Sequence, residues 1–520
     1  MESKPTESKQ TDSIKPNYDQ DLAVAKLKQF LLSNCSNFLL LGAAGSGKTT
    51  TIVRAFAGFD MNVVFCAFTN KATSVLQTIT KKFKLEFDAS FSTIHSLLAL
   101  QPKGGNVYEK SSKDQQSDEL RFEFKVEFIE RLVEYDVIIF DECSTISRDL
   151  YSFIVKTHEH ILDKYGKSLK YIFLGDFWQI PPVGEKNGIV FATSVTESWP
   201  VSKLGKIMRS NNEFIYDINE RFLAWIGLYK KNKKCAAWET LIQNYPYNLV
   251  KSDTNKYVGK IEDLITCYYA NINDDSILLT HGRKSCDMMN SMVQDILDDN
   301  AGRSHREDKS KITKFHAGDK CTLDRPITLV KITREYAGGD LMVKHGEPLP
   351  NKLYNGEIFD VIIAEDAIII SEITRYSQTF RGQVLTICRN TAPTELFEVI
   401  FMTCDDLKVA YTLTRRKLKR IAANNVINNF NKYQSVIYYG YCVTIYKSQG
   451  SQWKNVYVNM RNIWWSLCGK LPNGGKLPNG DDSSSNDKAL IEENNKERML
   501  LFKLTYTAIS RASDDLLLLW

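Results

Sequence analysis

Gly42-Ala43-Ala44-Gly45-Ser46-Gly47-Lys48-Thr49 follows an apolar run and opens a helix-like segment. In this G-x-x-x-x-G-K-[ST] spacing the glycines let backbone N–H groups close around phosphate oxygens at a helix N-terminus. Lys48 is then set to neutralise β- and γ-phosphates, and the Thr49 hydroxyl to ligate Mg²⁺. Asp141-Glu142 closes a second apolar run, DVIIF. An Asp at that strand end can hold Mg²⁺, and the adjacent Glu can polarise an attacking water. An acidic pair after a strand is by itself an ordinary turn. Joined to the phosphate loop, it predicts hydrolysis of a nucleoside triphosphate.

These residues need strands to deliver them. Short apolar runs occur at 37–42 (NFLLLG), 61–68 (MNVVFCAF), 136–142 (DVIIFDE) and 170–176 (KYIFLGD), with helix-like stretches at 48–56 and 70–83 between them. Continuous apolar runs bounded by turn residues read as buried parallel strands. Their alternation with amphipathic segments predicts an α/β fold with a doubly wound sheet, whose ligands lie beyond the carboxyl ends of the strands. Residues 99–127 break the alternation and read as a small insertion, a hairpin on the first sheet. A second α/β pattern starts near 201 and includes the strand-to-helix stretch 275–293. Residues 313–434 turn β-rich and predict a small barrel inserted into that second unit, which resumes at 435. A tandem GKLPNG at 469–480 reads as a surface loop.

The 520 residues are too many for one compact core. An apolar fraction of 43% and a charged fraction of 25% suit a soluble globular chain. No apolar stretch approaches a membrane span, and the polar first 16 residues read as a disordered tail rather than a secretory signal. The 11 cysteines are scattered without a CxxC pair, which argues against a disulfide framework or zinc ribbon and for reduced thiols inside a cell. A net charge of +5 permits nucleic-acid binding without arguing for it.

Further motifs follow in a fixed order: Asn17-Tyr18-Asp19-Gln20, the phosphate loop, Phe68-Thr69-Asn70-Lys71-Ala72, Ser92-Thr93-Ile94-His95-Ser96-Leu97, Asp141-Glu142 and GDFWQIPPV at 175–183. Arg209-Ser210-Asn211, Thr444-Ile445-Tyr446-Lys447-Ser448-Gln449-Gly450 and YTAISRA at 506–512 complete the series. It resembles motifs Q, I, Ia, Ib, II, III, IV, V and VI of superfamily 1 helicases. The spelling TIHSLL, GDxxQIPPV, RSN and TIxKSQG is closest to the Dda/RecD/PIF-like branch, superfamily 1B.

The resemblance implies two RecA-like P-loop domains, the first at 17–98 and 128–200 and the second at 201–312 and 435–520. The insertions at 99–127 and 313–434 would be a pin and an SH3-like barrel. It implies ATP and Mg²⁺ as cofactors, with ATP held by Gln20, Gly42, Ala43, Ala44, Gly45, Ser46, Gly47, Lys48, Thr49, Thr50 and Gly450. Thr49 and Asp141 would hold the metal. Lys48, Glu142, Gln179, Arg209 and Arg511 would be catalytic: Gln179 resembles a γ-phosphate sensor, the two arginines resemble arginine fingers, and Gln20 an adenine reader. Thr69, Asn70, Lys71, Ser92, Thr93, His95, Trp178, Thr444, Lys447 and Ser448 would contact single-stranded DNA. Tyr446 departs from the family's TIHKSQG, which implies altered strand contact at that point. The implied activity is 5′→3′ translocation and duplex unwinding by a monomeric motor at duplex junctions, in replication, recombination or repair, with no membrane. An RNA helicase of superfamily 1, or an ATPase remodeller that does not unwind, are the alternatives.

Overall fold

The computed structural model describes residues 16–82, 88–102, 122–123, 130–185, 187–208, 215, 217–220, 223, 257–303, 314–354, 357–371, 378–389, 392–418, 420–468 and 488–519. The first lobe contains α1 (Tyr18–Leu32), β1 (Asn37–Gly42), α2 (Lys48–Phe56), β2 (Val63–Ala67), α3 (Asn70–Lys82), β3 (Ala89–Thr93), β4 (Val137–Phe140), α4 (Arg148–Tyr165), β5 (Lys170–Gly175) and β6 (Val201–Leu204). The strands form one six-stranded sheet in the order β3-β2-β4-β5-β1-β6. Every pairing in it is parallel.

Both faces of this sheet are covered, which explains the continuous apolar runs. Val64, Cys66, Ile138 and Phe140 pack into one core and Val63, Phe65, Val137 and Ile139 into another, on opposite faces as the period of two requires. Each fully buried Val, Ile or Phe contributes roughly 1.5–3 kcal/mol. Helix boundaries follow local chemistry. Asn17 and Gln20 form a capping box at the start of α1. Ser147 caps α4, and Gly166 ends it in the left-handed region.

The sheet order sorts the motifs. β4, β5 and β1 are neighbours, so their carboxyl ends bring Asp141, Asp176 and the phosphate loop together. β3 and β2 lie to one side and carry the motifs at 68–72 and 92–97.

The second lobe contains β7 (Tyr257–Val258), α5 (Ile261–Ala270), β8 (Ser276–Thr280), α6 (Arg283–Asn300), β9 (Lys320–Leu323), β10 (Ile327–Ala337), β11 (Asp340–Leu353), β12 (Ile358–Ser371), β13 (Gln378–Arg389) and β14 (Ala392–Phe401). It continues with α7 (Cys404–Lys417), α8 (Arg420–Phe430), β15 (Ile437–Tyr439), β16 (Cys442–Thr444), β17 (Trp453–Asn459), α9 (Met460–Cys468), α10 (Lys488–Ile509) and β18 (Ala512–Leu519). A five-stranded parallel sheet runs β16-β8-β17-β18-β7. Its two faces also alternate: Ile277, Val456 and Leu518 enter one core, Leu278, Tyr457 and Leu519 the other.

Strands β9 to β15 build the β-rich insertion. The path is β10-β11-β12-β9-β15, with β13 and β14 added beyond the other edge of β12. Its anchor is the pairing of β9 with β15, one turn before β16 of the parallel sheet.

Three details depart from the sequence reading. Val201–Leu204 pairs in parallel with β1, so it is the edge strand of the first sheet rather than the start of the second unit. Ile437–Tyr439 belongs to the insertion's sheet, two residues past the expected boundary at 435. Helices α7 and α8 close a segment expected to be β-rich throughout. The pair Gln101–Pro102 with Phe122–Glu123 is antiparallel, as at the base of a hairpin. The body of the 99–127 insertion, the 1–15 tail and the GKLPNG repeat at 469–480 lie outside the described residues.

Candidate active site

The phosphate loop turns on Gly45 and Gly47, at φ 80° and 83°. L side chains rarely adopt such angles, and only glycine adopts them freely. A Cβ on Gly42 would overlap Ser46 Oγ, and one on Gly47 would overlap Gln20 Nε2, so the loop has no room for side chains at either position. Lys48 Nζ donates to the carbonyls of Gly42 (2.8 Å) and Ala43 (3.1 Å), which lays the ammonium across the loop. Thr49 and Thr50 start α2 behind it, and Thr51 Oγ1 donates to Gly47 O at 2.9 Å. Ser46 is buried and its hydroxyl has no hydrogen-bond partner. The Gly45 carbonyl accepts the Met208 N–H at 2.8 Å.

Gln20 sits under this loop, 6% exposed. Its Oε1 accepts the Asn17 N–H at 3.1 Å, and its Nε2 donates to Ser46 O at 3.1 Å. The amide is therefore both helix cap and loop clamp, with one N–H left to offer a base.

Glu142 adopts φ 52°, a left-handed conformation that costs a non-glycine residue roughly 1–2 kcal/mol. The Glu142 N–H donates to Asp141 Oδ1 at 2.9 Å, and Thr145 Oγ1 donates to Glu142 O at 2.8 Å, so the strain is held from both sides. With its amide oxygen and nitrogen assigned so that both neighbours are satisfied, Gln179 Nε2 donates to Glu142 Oε2 (3.0 Å) and Oε1 accepts from Arg511 Nη2 (3.3 Å). Arg511 is 1% exposed. It is anchored within the second lobe by donating to Thr507 O (3.1 Å), Ser451 O (3.2 Å) and Ser510 Oγ (3.3 Å). Glu142, Gln179 and Arg511 thus form a chain that crosses from one lobe to the other.

A second crossing was not read from the sequence. Asp176 Oδ2 accepts the Ala44 N–H of the phosphate loop (3.0 Å) and the Tyr506 hydroxyl of α10 (2.7 Å). The Ala44 N–H also reaches the Tyr506 oxygen at 3.2 Å. Burial raises the Asp176 carboxyl pKa, opposed by Lys48 and by the Tyr506 hydrogen bond. Burial likewise pushes the Tyr506 hydroxyl well up. Both residues lie in quoted motifs, but nothing in either motif says that they touch.

Ile180 is fully buried in the second lobe's core, and Trp178 packs against the same core. Trp178 is therefore a packing residue between lobes in this arrangement. Gln449 Nε2 donates to Ile180 O at 3.3 Å. Gly450, at φ 73°, meets α3: a Cβ there would lie 2.8 Å from the Ala72 Cβ.

The strand motifs look different. Thr69 Oγ1 accepts the Ala72 N–H (3.2 Å), Thr93 Oγ1 accepts the Ser96 N–H (3.2 Å) and Thr444 Oγ1 accepts the Lys447 N–H (3.4 Å). Each hydroxyl starts a turn or helix of its own chain. Ser92 Oγ donates to Thr93 O at 3.2 Å. Ser448 is fully buried and donates to Ile445 O at 2.7 Å, shaping the turn that exposes Lys447. His95 packs edge-on against Phe68, ring centroids 5.3 Å apart, and burial lowers its pKa. Tyr446 packs beside His281, 6.1 Å between centroids. Asn70 and Lys71 begin α3, with side chains outside the described residues; Arg209 lies outside them altogether.

The loop fits a polyphosphate, because its glycine positions exclude side chains and a buried hydroxyl is left unpartnered beside Lys48. Thr49 and Asp141 supply a hydroxyl and a carboxylate, the oxygen donors that Mg²⁺ takes along with phosphate and water. Among the described residues no helix is long and apolar enough to cross a membrane.

Residues 28–185 match the AAA domain family. The chain is 24% identical over 505 residues to the uncharacterized protein R530 of Acanthamoeba polyphaga mimivirus, covering 86% of this chain and 94% of that protein. It is 25% identical over 288 residues to the RecBCD enzyme subunit RecD of Buchnera aphidicola subsp. Acyrthosiphon pisum (strain APS), covering 48% of this chain and 43% of the relative. Among solved structures it is similar to the Pif1 helicase from Candida albicans, with 14% identity, TM-score 0.47, and 98% and 94% of the two chains covered. It is also similar to Pif1 helicase from Bacteroides in complex with ADP-AlF3 and ssDNA, with 16% identity, TM-score 0.43, and 94% and 89% covered. The AAA domain match and the RecD relative agree with the resemblance to superfamily 1B helicases that the motif order carries.

Proposed function

We propose that the chain is an ATP-driven DNA helicase that moves 5′→3′ on single-stranded DNA and unwinds duplex ahead of it. The observation that carries this reading is the Glu142–Gln179–Arg511 chain, which ties the residue beside the phosphate loop to the second lobe. A hydrolysis event at that loop cannot change Glu142's surroundings without disturbing a side chain fixed to the other lobe. That is the mechanical requirement of a motor with two grips.

In this mechanism Lys48 shifts from the loop carbonyls to the γ-phosphate oxygens, where its charge opposes the charge developing on the transferred group. Glu142 orients the attacking water, and its fixed left-handed backbone holds the carboxylate at one place. Gln179 reports the γ-phosphate between Glu142 and Arg511. Arg511, and Arg209 by family resemblance, present planar charged donors suited to the spread charge of phosphoryl transfer. Mg²⁺ held by Thr49 and Asp141 would screen the phosphates. Gln20 would offer its remaining N–H to the base.

The strand would cross the carboxyl ends of β3 and β2 in the first lobe, at Thr69, Asn70, Lys71, Ser92, Thr93 and His95. In the second lobe it would cross the turn carrying Thr444 and Lys447. The pin at 99–127 would part the duplex, and the β-rich insertion, SH3-like by resemblance, would brace the strand. The direction 5′→3′ rests on the superfamily 1B resemblance. A duplex with a 5′ single-stranded tail should be unwound with ATP and Mg²⁺, while one with only a 3′ tail should not. Unwinding of the 3′-tailed duplex alone would overturn the direction. An ATPase stimulated by RNA and not by DNA would overturn the substrate.

A further inference from the structure

One face of α10 meets Asp176 and Phe177 of the 175–183 motif in ways that neither the family motifs nor the proposed mechanism uses. Tyr506 donates to Asp176. Lys503, one helical turn earlier, lies 5.0 Å from the centre of the Phe177 ring and donates to Asn187 Oδ1 at 3.0 Å. Lys503 is 1% exposed, an unusual place for an ammonium group. Trp178 and Ile180 pack against the core that α10 helps to build. The Trp178 N–H donates to Asp176 Oδ1 at 3.0 Å, so the docked segment is itself a closed turn. This segment is also what touches the phosphate loop, through Asp176 and the Ala44 N–H.

We propose that this face of α10 is the transmission contact between the nucleotide and the second lobe, with Tyr506 and Lys503 as its positioning residues. A polyphosphate entering the loop brings negative charge toward the Asp176 carboxylate, which the Ala44 N–H and the Tyr506 hydroxyl now hold there. Like charges in a buried site repel strongly, and moving residues 176–180 relieves the repulsion. Because Tyr506 grips Asp176 and Lys503 grips Phe177, that movement is delivered to α10. Neither residue needs to touch ATP or the strand. The inference rests on the motor reading only for its strand-dependent arm.

The test uses the full chain, a non-hydrolysable ATP analogue and no strand, and reads amide hydrogen exchange across 500–511. In the wild type the analogue should change exchange in that segment. In Lys503→Met and in Tyr506→Phe the analogue should still bind but leave α10 unchanged. In the strand arm, Lys503→Met should keep basal ATP turnover within about twofold, while its stimulation by single-stranded DNA falls about fivefold or more, the scale of a typical coupling between sites. If Lys503→Met does not fold, Phe177→Leu removes the ring that the ammonium faces and should show the same split. Folded variants that pass the analogue's effect to α10 undiminished would overturn the proposal, as would a wild type whose α10 ignores the analogue. A wild type that responds to the analogue but not to any strand would overturn the motor reading and leave the transmission contact standing.

Discussion

The cleft between the lobes and the ridge formed by the carboxyl ends of β3, β2 and β16 are both polar, yet they are built differently. In the cleft, three side-chain contacts join partners far apart in sequence. Asp176 meets Tyr506, Gln179 meets Arg511 and Gln449 meets the Ile180 carbonyl, each across the lobe boundary. On the ridge, Thr69, Thr93 and Thr444 satisfy backbone N–H groups three residues on. The cleft is fixed by tertiary contacts and the ridge by local turns. A site that must sense one phosphate needs the first kind of construction. A surface that holds a sliding backbone and releases it, as proposed for the ridge, is better served by the second, where each hydroxyl is tied only to its own turn.

The largest effect should come from emptying the cleft of its cation. Lys48→Ala should abolish ATP hydrolysis while leaving most strand binding, because the ammonium lies on the phosphate loop and not on the ridge. Steady-state turnover and strand titration read the two separately. Wild-type turnover would refute the loop assignment, and an equal loss of both would erase the distinction between the regions. Arg511→Lys comes next. It keeps a positive charge but loses the planar fork, so kcat should fall by about 10³-fold while ATP affinity changes little, if the guanidinium acts on the transition state. An effect confined to KM would make Arg511 a binding residue instead.

Gly450→Ala tests whether the lobes must close where Gly450 meets Ala72. The new Cβ would lie 2.8 Å from the Ala72 Cβ and would also strain a backbone at φ 73°. A penalty of about 1–2 kcal/mol is expected from the left-handed conformation alone. Strand-stimulated turnover should fall about tenfold, the equivalent of 1.4 kcal/mol at the barrier. Adding Ala72→Gly removes the overlap but not the strain. Partial recovery in the double variant is the expected outcome; no recovery would show that the backbone, not the contact between lobes, is responsible.

The cleft and the ridge also differed in how far they could be read from the sequence. The strands at 37–42, 63–67, 137–140 and 170–175 were legible because both faces of the sheet are covered, which leaves an unbroken apolar run. β6 escapes that reading because VSKL alternates, with Ser202 and Leu204 buried and Val201 and Lys203 exposed. An alternating edge strand carries no mark of the sheet it joins. The phosphate loop and Glu142 were legible because their chemistry needs contiguous residues. The pairing of Asp176 with Tyr506 was not, since 330 positions separate them and neither spacing nor periodicity reports a contact across a lobe boundary. Lys503 was invisible for a further reason. A lysine on a helix reads as solvated, and only the aromatic ring and Asn187 opposite it show otherwise. On the ridge the hydroxyls of Thr69, Thr93 and Thr444 serve the local backbone, which the motif spelling does not disclose.

The smallest predicted effect separates two ridge residues that look alike as candidate phosphate contacts. Lys447 is exposed on the turn after β16. His95 is partly buried against Phe68, and burial lowers its pKa below the ordinary value of 6.5. On the proposed strand path, His95 should therefore release no counterion at pH 7.5, whereas Lys447 should. Lys447→Ala should weaken strand binding several-fold and reduce the salt dependence of log Kd by about one counterion. His95→Asn should leave that salt slope unchanged at pH 7.5, whatever it does to affinity through its hydrogen bonds. As the pH falls, His95 should begin to add to the slope only at a lower pH than an ordinary histidine would, because burial opposes its charged form. Fluorescence anisotropy of a labelled single strand, titrated at several salt concentrations, measures both slopes. Equal loss of slope in the two variants would mean that His95 binds the strand as a cation, taking a proton from solvent because the nearby phosphates favour its charged form.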